Sequence, residues 1–349
     1  MVDNAQLIFT KPVLRGLVTT VGSVVKKFTD DAQSYNLSEK DAIRLSKALG
    51  LNERRVVASK DTTTSDLCVQ SAQHLFDGLG ITPNSVSGVI FVTQSPDYAA
   101  PSTAMSIQDR LGMPVSSMAF DMHLGCSGFV YGLSVAYSLV ESGLSRVLLC
   151  VGDVASSFTP ADDHTITPIM GDAGSAILIE RGNSTSFFQL YSDGSGARAL
   201  YIPNSGCRVN KEDQDLGVVM RMNGAQVFNF TLQRVPSMID SILNFSSSTP
   251  NDIDYFVLHQ PNKYILNNIQ KRLSVSDDKF PKQTQSIFGN QNSASIPGTI
   301  SGFLSAQYSN TKLKSLFAGF GIGLSWASCV IETDHIFSPE FLIERPFNE

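Results

Sequence analysis

The chain has 349 residues, of which 42% are hydrophobic and 17% charged, with a formal net charge of −6. This length predicts two compact halves rather than one small core, and the negative charge gives no sign of a nucleic-acid partner. The start, MVDNAQLIFTKP, lacks the basic and apolar regions of a secretory signal. No apolar run approaches the roughly 20 residues of a membrane helix. We therefore expect a cytoplasmic protein that does not span a membrane.

The cysteines are widely spaced and include no CxxC pair: Cys68, Cys126, Cys150, Cys207 and Cys329. Such spacing predicts neither a zinc site nor a redox pair. Free thiols fit a reducing cytoplasm, and we expect no bound metal.

Short apolar runs alternate with longer helical patterns along the chain. Helices are predicted at 64–78, 103–111, 127–142, 224–244, 262–273 and 297–309, and strands at 88–93, 146–151, 176–179, 255–258 and 315–318. Runs that are apolar on both faces are typical of strands buried between helix layers, so the predicted class is α/β. The first 60 residues and the tail after 333 carry weaker signals.

A weak internal repeat supports two similar halves. The stretch PNSVSGVIFVTQSP at 83–96 resembles PNDIDYFVLHQP at 250–261, each with a polar turn before an apolar strand. The pattern suits a duplicated α/β domain joined near 182–190. We therefore predict an N-terminal half at 1–182 and a C-terminal half at 183–349.

Cys126 lies between two glycines in Gly125-Cys126-Ser127-Gly128, immediately before a helical pattern. Unpaired amides at a helix start favour a thiolate and are expected to lower the pKa of this thiol. The glycines permit a sharp turn and the close approach of a substrate. Cys126 is therefore a candidate nucleophile, and a buried thiol that serves as a small hydrophobe is the alternative.

Two further polar stretches could complete such a site. His259 ends a predicted strand, where side chains of α/β sheets face the ligand crevice, although a lone histidine there is more often structural. Asn290 lies in FGNQNSASIPG and is either a turn residue or an oriented donor. The glycine-rich turn AGFGIGLSWAS at 318–328 could present bare amides to an oxyanion.

Together these stretches resemble the thiolase-type condensing enzymes, most closely β-ketoacyl-acyl carrier protein synthase III. The resemblance rests on FDMHLGCSGFVYGLSVA, GDAGSAILIE, HQPN, GNQNSASIP and GFGIGLSW, in order along the chain. It implies a five-layer α/β/α/β/α sandwich of two similar halves that forms a homodimer. It also implies a Cys126-His259-Asn290 triad that condenses an acyl primer with a malonyl thioester by decarboxylation.

The resemblance assigns further roles. The oxyanion hole would use the amides of Cys126 and Ile322, and Ala100 would border the acyl pocket. A pantetheine channel would be lined by Gly224, Phe228, Asn262 and Phe320. An acidic carrier protein would dock on Lys263, Lys271 and Arg272, for which a solvated helix face is an equal alternative. No resident cofactor is implied, because the substrates are carried on the phosphopantetheine of a carrier protein or on coenzyme A.

The chain departs from the family pattern where coenzyme A is bound. The only tryptophan is Trp326, so the stretch around Arg44 lacks the adenine clamp of the family, and Asp163 and His164 stand near the position of a second clamp arginine. A primer delivered by a carrier protein is therefore favoured. Ala100 replaces a commonly bulky residue and suggests room for a longer or branched acyl group.

Other functions remain open. Relatives with this triad also transfer the acyl group to an oxygen or nitrogen acceptor, or hydrolyse it. A hydroxymethylglutaryl-type synthase would need a glutamate base where this chain offers only Asp97. A noncatalytic subunit would typically lack the cysteine. The primer, its chain length and the pathway, whether fatty-acid initiation, a secondary metabolite or acylation of a sugar, are not fixed by the sequence.

Overall fold

The structure is a computed structural model that describes residues 5–32, 34–35, 37–160, 162–208 and 211–345. Its strands are β1 Ala5–Phe9, β2 Pro12–Val21, β3 Val24–Lys27, β4 Glu53–Val56, β5 Gly88–Val92, β6 Met118–Met122, β7 Arg146–Asp153, β8 Ala173–Arg181, β9 Ser186–Ser192, β10 Leu200–Tyr201, β11 Arg221–Met222, β12 Tyr255–Leu258, β13 Lys312–Gly321, β14 Ser325–Asp334 and β15 Leu342–Ile343. Its helices are α1 Glu39–Leu49, α2 Thr64–Leu79, α3 Thr103–Arg110, α4 Gly128–Glu141, α5 Gly224–Phe245, α6 Lys263–Leu273, α7 Thr284–Ile287, α8 Ser295–Thr299 and α9 Ser305–Asn310, with a π-helical turn at Ile300–Leu304 between the last two.

Two mixed sheets share one pattern of strand directions. The six-stranded sheet has the order β15-β2-β8-β7-β5-β6, and the five-stranded sheet has the order β1-β9-β14-β13-β12. In the first, β5 is parallel to β7, and β7 is antiparallel to β8. In the second, β12 is parallel to β13, and β13 is antiparallel to β14. The two sheets therefore repeat the same motif.

The repeat seen in the sequence has a structural counterpart. A 3₁₀ turn at Pro83–Ser85 precedes β5, and one at Pro250–Asp252 precedes β12. Two strands cross the boundary predicted at 182/183, because β1 pairs with β9 in the second sheet and β15 pairs with β2 in the first. The division into 1–182 and 183–349 stays a prediction.

Helices separate and cover the two sheets. Helix α4 packs against β5, β7 and β8 on one side and against β13 and β14 on the other, while α8 contacts β2, β8 and β12. The side chains of Phe129, Leu133, Tyr137 and Val140 in α4 are buried in the core between the sheets. Since a helix enclosed on both sides can be apolar all round, the composition of α4 fits this central place. Helices α2 and α3 cover the first sheet, and α5 covers the second with α6 beside it, giving five layers.

Several elements have no counterpart among the predicted ones, including α1, β2, β6 and β9. The predicted helices correspond to α2–α6 and to the segment from α8 to α9, and each predicted strand lies within an observed one or overlaps it closely. Strand β2 lies in the first 60 residues, and β14 lies in the glycine-rich stretch for which the sequence predicts a turn. There the turn proper is confined to 322–324, because β13 and β14 pair as far as Gly321 and Ser325. Within the described residues, no helix combines the length and apolarity that crossing a membrane would require.

Candidate active site

One cavity of about 290 Å³ brings the predicted catalytic residues together. Cys126 precedes α4, His259 follows β12, and Asn290 lies in the loop before α8. All of them are buried, and all line this cavity. His259 follows Cys126 by 133 positions along the chain, and Asn290 follows it by 164. The three residues share one cavity because the fold brings their loops together.

Close packing around Cys126 explains the adjoining glycines. An added Cβ at Gly125 would collide with the side-chain oxygen of Gln94. An added Cβ at Gly321, on β13, would lie 2.8 Å from both Cβ and Sγ of Cys126. A side chain at either position would therefore displace the cysteine or close the space in front of it.

The thiol of Cys126 is held in its neutral form. Burial raises the pKa of Cys126 to about 12, hydrogen bonds from the backbone of Ile322 and of Cys126 itself oppose this, and the charge of Asp153 adds to it. The expectation that the helix start lowers this pKa is wrong, because desolvation of a thiolate outweighs the contribution of the nearby amides. A nucleophilic role for this sulfur would therefore require that the thiol lose its proton during the attack.

The loop with Ile322 is fixed to the start of α4. The hydroxyl of Ser325 lies 2.7 Å from the carbonyl oxygen of Ile322 and 2.6 Å from the hydroxyl of Ser127. The backbone of Ile322 interacts with the Cys126 thiol. An amide in this place could also stabilise negative charge that develops next to the sulfur.

His259 is a neutral imidazole with one nitrogen engaged. Burial lowers its pKa to about 3, against a hydrogen bond to the backbone of Asn292 that raises it. Its Nδ1 lies 2.8 Å from the hydroxyl of Ser295, and its ring packs edge-on against Phe320. Nε2 is therefore the nitrogen available to a substrate. Nε2 carries a proton in the tautomer in which Nδ1 accepts from the Ser295 hydroxyl, for which the carbonyl oxygen of Asn292 at 2.7 Å is the competing acceptor.

The amide of Asn290 is oriented by its neighbour. Its Oδ1 accepts a 2.9 Å hydrogen bond from the backbone N–H of Asn292. Its own backbone is fixed by a 2.6 Å bond to the carbonyl of Ile169 and a 3.0 Å bond from the N–H of Gly171. Since the oxygen is occupied, the Nδ2 group is the end that can donate to a ligand in the cavity.

The predicted channel residues line the same cavity. Gly224 and Phe228 belong to α5, Phe320 to β13, and Asn262 caps α6 by accepting a 2.9 Å bond from the N–H of Ile265. Sequence reasoning missed most of the apolar wall: Leu45 and Leu49 of α1, Met170, Leu200, Met220 and Met222. Leu45 and Leu49 are spaced as on one face of a helix, a signal that could have marked them, whereas the other four lie in short segments without clear periodicity.

The remaining predicted residues lie outside this cavity. Ala100 is exposed and does not line it. Lys263, Lys271 and Arg272 are exposed on α6. Arg272 follows Lys263 by nine positions, about two and a half turns, so the two lie on opposite sides of the helix. The guanidinium of Arg272 donates a 3.2 Å bond to the carbonyl of Leu232 in α5.

Polar residues behind the sulfur were also missed. Asn292 and Gln94 line the cavity, and Asp153, at the end of β7, is fully buried and acts electrostatically on Cys126. Asn292 stands in the same polar stretch as Asn290. Nothing in the sequence shows which of the two amides faces the sulfur.

Comparison with known proteins shows which family the chain resembles. The family model for 3-oxoacyl-[acyl-carrier-protein] synthase III matches residues 120–197, and that for its C-terminal part matches 243–333. A Campylobacter jejuni protein named as a candidate 3-oxoacyl-[acyl-carrier-protein] synthase 3 is 34% identical, with 96% of this chain and 98% of that protein covered. A β-ketoacyl-[acyl-carrier-protein] synthase III of Streptococcus mutans is 33% identical, with 81% and 88% covered.

Solved structures show the same fold. The crystal structure of a 3-oxoacyl-(acyl-carrier protein) synthase from Burkholderia xenovorans superposes with a TM-score of 0.93 at 30% identity, and the match covers 98% of this chain and 99% of that one. The Pseudomonas aeruginosa synthase III gives a TM-score of 0.82 at 25% identity, over 93% and 99%. The predicted thiolase-type sandwich is thereby confirmed.

The fold and these relatives define a condensing enzyme of the acyltransferase class. The chain belongs to the 3-oxoacyl-[acyl-carrier-protein] synthase III family.

Proposed function

We propose that the protein joins an acyl primer, held on Cys126, to a malonyl thioester by decarboxylative condensation and releases a β-ketoacyl thioester. The observation that carries this proposal is the convergence of a thiol, a neutral imidazole and an oriented carboxamide on one cavity. Such a set supplies a nucleophile and two uncharged donors, but no strong base.

The first half-reaction transfers the primer to the enzyme. The Cys126 sulfur attacks the thioester carbonyl, and the tetrahedral oxyanion accepts hydrogen bonds from the amides of Cys126 and Ile322. Each such donor is worth roughly 3 kcal/mol in the transition state. The thiol proton leaves with the departing pantetheine sulfur, so the exchange of thiol for thioester is balanced.

The second half-reaction forms the carbon–carbon bond. The thioester carbonyl of the malonyl group accepts hydrogen bonds from Nε2 of His259 and Nδ2 of Asn290, which stabilise the enolate as carbon dioxide departs. The enolate carbon attacks the acyl carbonyl on Cys126. The sulfur leaves as a thiolate and takes a proton from water. Decarboxylation itself generates the carbanion, so a neutral histidine is sufficient.

The cavity wall favours a donor on a carrier protein over free coenzyme A. Its lining within the described residues is mostly apolar and includes neither lysine nor arginine. Coenzyme A brings additional phosphates that would need cationic contacts near the channel mouth. Phosphopantetheine attached to a carrier protein would place its single phosphate outside, close to Lys263 next to the cap of α6.

Intact-mass spectrometry tests the proposed reaction. The protein is mixed with acyl-coenzyme A and acyl-carrier-protein thioesters, and malonyl-carrier protein is then added. We expect an acyl adduct that disappears as a β-ketoacyl product forms. The Cys126→Ala variant should give no adduct, whereas Cys150→Ala, at a buried thiol off the cavity, should still be acylated. His259→Ala and Asn290→Ala should be acylated yet condense roughly a hundredfold more slowly.

The alternatives give different results in the same experiment. An adduct that persists in the presence of the malonyl donor would indicate transfer to another acceptor, and one that decays without a condensed product would indicate hydrolysis. The absence of an adduct from every donor would contradict the proposal and indicate a noncatalytic subunit.

A further inference from the structure

Asn292 contacts each member of the proposed triad. Its Oδ1 lies 3.8 Å from Sγ of Cys126, a distance suited to a thiol donor. Its backbone N–H donates to Oδ1 of Asn290, and its carbonyl oxygen interacts with His259. The side chain is 1% exposed, and the backbone has a φ of 48°, in the left-handed region that asparagine tolerates better than most residues. This conformation lets one residue meet all three.

A buried carboxylate lies behind Asn292. Oδ1 of Asp153 accepts hydrogen bonds from the N–H of Gln94 at 2.6 Å and from the hydroxyls of Thr93 at 3.0 Å and Ser95 at 3.3 Å. Oδ2 has no such bond, and a side-chain interaction with Asn292 contributes to the electrostatics of the carboxylate. Burial raises the pKa of Asp153 to about 7. Asp153 is thus anchored by one oxygen, while Asn292 interacts with the group.

These neighbours decide which way the Asn292 amide points. Above about pH 7 Asp153 is largely ionised, and a carboxylate can only accept, so it favours the Nδ2 end of the amide on its side. Within the described residues, neither Nδ2 of Asn292 nor Oδ2 of Asp153 has a hydrogen-bond partner, so a buried donor and a buried acceptor are left to each other. The oxygen end is then directed at the sulfur, as observed. Asp153 thus acts electrostatically on the amide of Asn292, and the oxygen of that amide faces the S–H group of Cys126.

We propose that Asn292 holds the proton on Cys126 by accepting a hydrogen bond from the thiol, and that Asp153 is the positioning residue that orients the Asn292 amide. An acceptor next to a thiol stabilises the protonated form. The resting sulfur is thereby kept weakly nucleophilic until a thioester arrives whose departing sulfur can take the proton. After acylation no S–H group remains, and the contact is released.

The titratable groups around the sulfur are few. Asp153 approaches from β7, His259 from the end of β12, and His164 lies elsewhere on the same cavity wall. Burial keeps His259 neutral. Among the described groups, the negative charge that acts on Cys126 is therefore that of Asp153.

The rate of alkylation by iodoacetamide, measured at Cys126 by peptide mass spectrometry on the full-length protein, tests this proposal. Between about pH 7 and about pH 10 the rate follows the thiolate fraction. We expect Asp153→Asn to react roughly tenfold faster, a fall of about one pH unit in the titration of the thiol, because the new amide turns Asn292 and removes a charge. Asn292→Ala, which removes the acceptor itself, should react at least as fast as Asp153→Asn.

Matched variants separate the proposed mechanism from simpler ones. Asp172→Asn removes another buried carboxylate, one off the cavity, and should leave the alkylation rate unchanged. Met170→Ala enlarges the cavity without removing an acceptor and measures the effect of access. In the double variant Asp153→Asn/Asn292→Ala, the rate should exceed that of Asn292→Ala by a smaller factor than the one by which Asp153→Asn raises it alone, because part of the effect of Asp153 passes through the amide.

Several outcomes would overturn the proposal. Unchanged rates in both single variants would exclude a role for the contact. Additive effects in the double variant would show that Asp153 acts by charge alone, and an equal increase in Met170→Ala would assign the effect to access. Thermal unfolding confirms that each variant is folded. Should Asp153→Asn fail to fold, Asn292→Ser, which is too short to reach the sulfur, carries the same expectation.

The proposal rests on Cys126 being the acylated nucleophile, but its test does not use turnover. Suppose that alkylation of Cys126 is faster in the two variants as expected, but that no donor gives an acyl adduct. The contact would then be established, and the proposed function would be contradicted. Acylation and condensation in a protein whose alkylation rates do not change would do the reverse.

Discussion

At Cys126, opposing influences act on one sulfur atom. Burial and the charge of Asp153 favour the thiol, whereas the backbone hydrogen bonds from Ile322 and Cys126 favour the thiolate. A helix start is visible in the sequence, but the loss of water around it is not. The sequence therefore singles out Cys126 as a candidate nucleophile but gives the wrong direction for the pKa of its thiol.

The space in front of the sulfur depends on Gly321. We expect Gly321→Ala to abolish acyl loading of Cys126 almost completely, because the added methyl group would lie 2.8 Å from Sγ. Gly194→Ala, where an added Cβ meets nothing within 4 Å, is the control. Intact-mass spectrometry after incubation with an acyl thioester measures both. Normal loading of Gly321→Ala would show that the β13–β14 turn can move away from the cysteine.

Among the elements, α6 connects the cavity with the outer surface. Its cap Asn262 and the side chains of Tyr264 and Ile265 line the cavity, while Lys263 is exposed beside them. The sequence predicted one basic docking surface, but helical geometry places Arg272 on the side opposite Lys263. A carrier protein that inserts its phosphopantetheine into the cavity beside α6 would therefore contact Lys263 and not Arg272.

We expect Lys263→Glu to raise the KM for malonyl-carrier protein several-fold with little change in kcat, because a charge at the rim mainly affects association. Arg272→Glu, with the same change in charge on the other side of α6, should have a smaller effect. Steady-state kinetics at low ionic strength measure both. The unsubstituted protein and both variants should use a small malonyl thioester without a carrier protein equally well. Equal effects of the two substitutions would contradict docking beside the channel.

At the scale of the whole molecule, Ala100 raises the question of a second copy. In the single chain it is exposed and away from the cavity, so a larger side chain would have room there. Nearby surface residues include the exposed Tyr98 and Met105. A role for Ala100 in the acyl pocket thus requires the homodimer, in which one protomer would complete the pocket of the other.

Ala100→Phe tests this arrangement. If the protein is a homodimer with Ala100 at the pocket, the added ring should restrict primers to short acyl chains. Competition between primers of different length, read as acyl adducts by mass spectrometry, measures the preference, and sedimentation velocity measures the assembly. An unchanged preference would contradict the role of Ala100, and a monomer would contradict the homodimer.

The sequence by itself determined the alternation of helices and strands, the repeat of the two halves, and the local settings of Cys126, His259 and Asn290. These features are local, because the period of apolar residues and the glycines at a turn are read over a few positions. Only the tertiary structure decided that burial outweighs the helix start at Cys126, that Met170, Met220 and Met222 line the cavity, and that the amide oxygen of Asn292 lies 3.8 Å from the sulfur. The reason is physical: desolvation and the direction of a carboxamide depend on groups that are distant in sequence and meet only when the two sheets pack around α4.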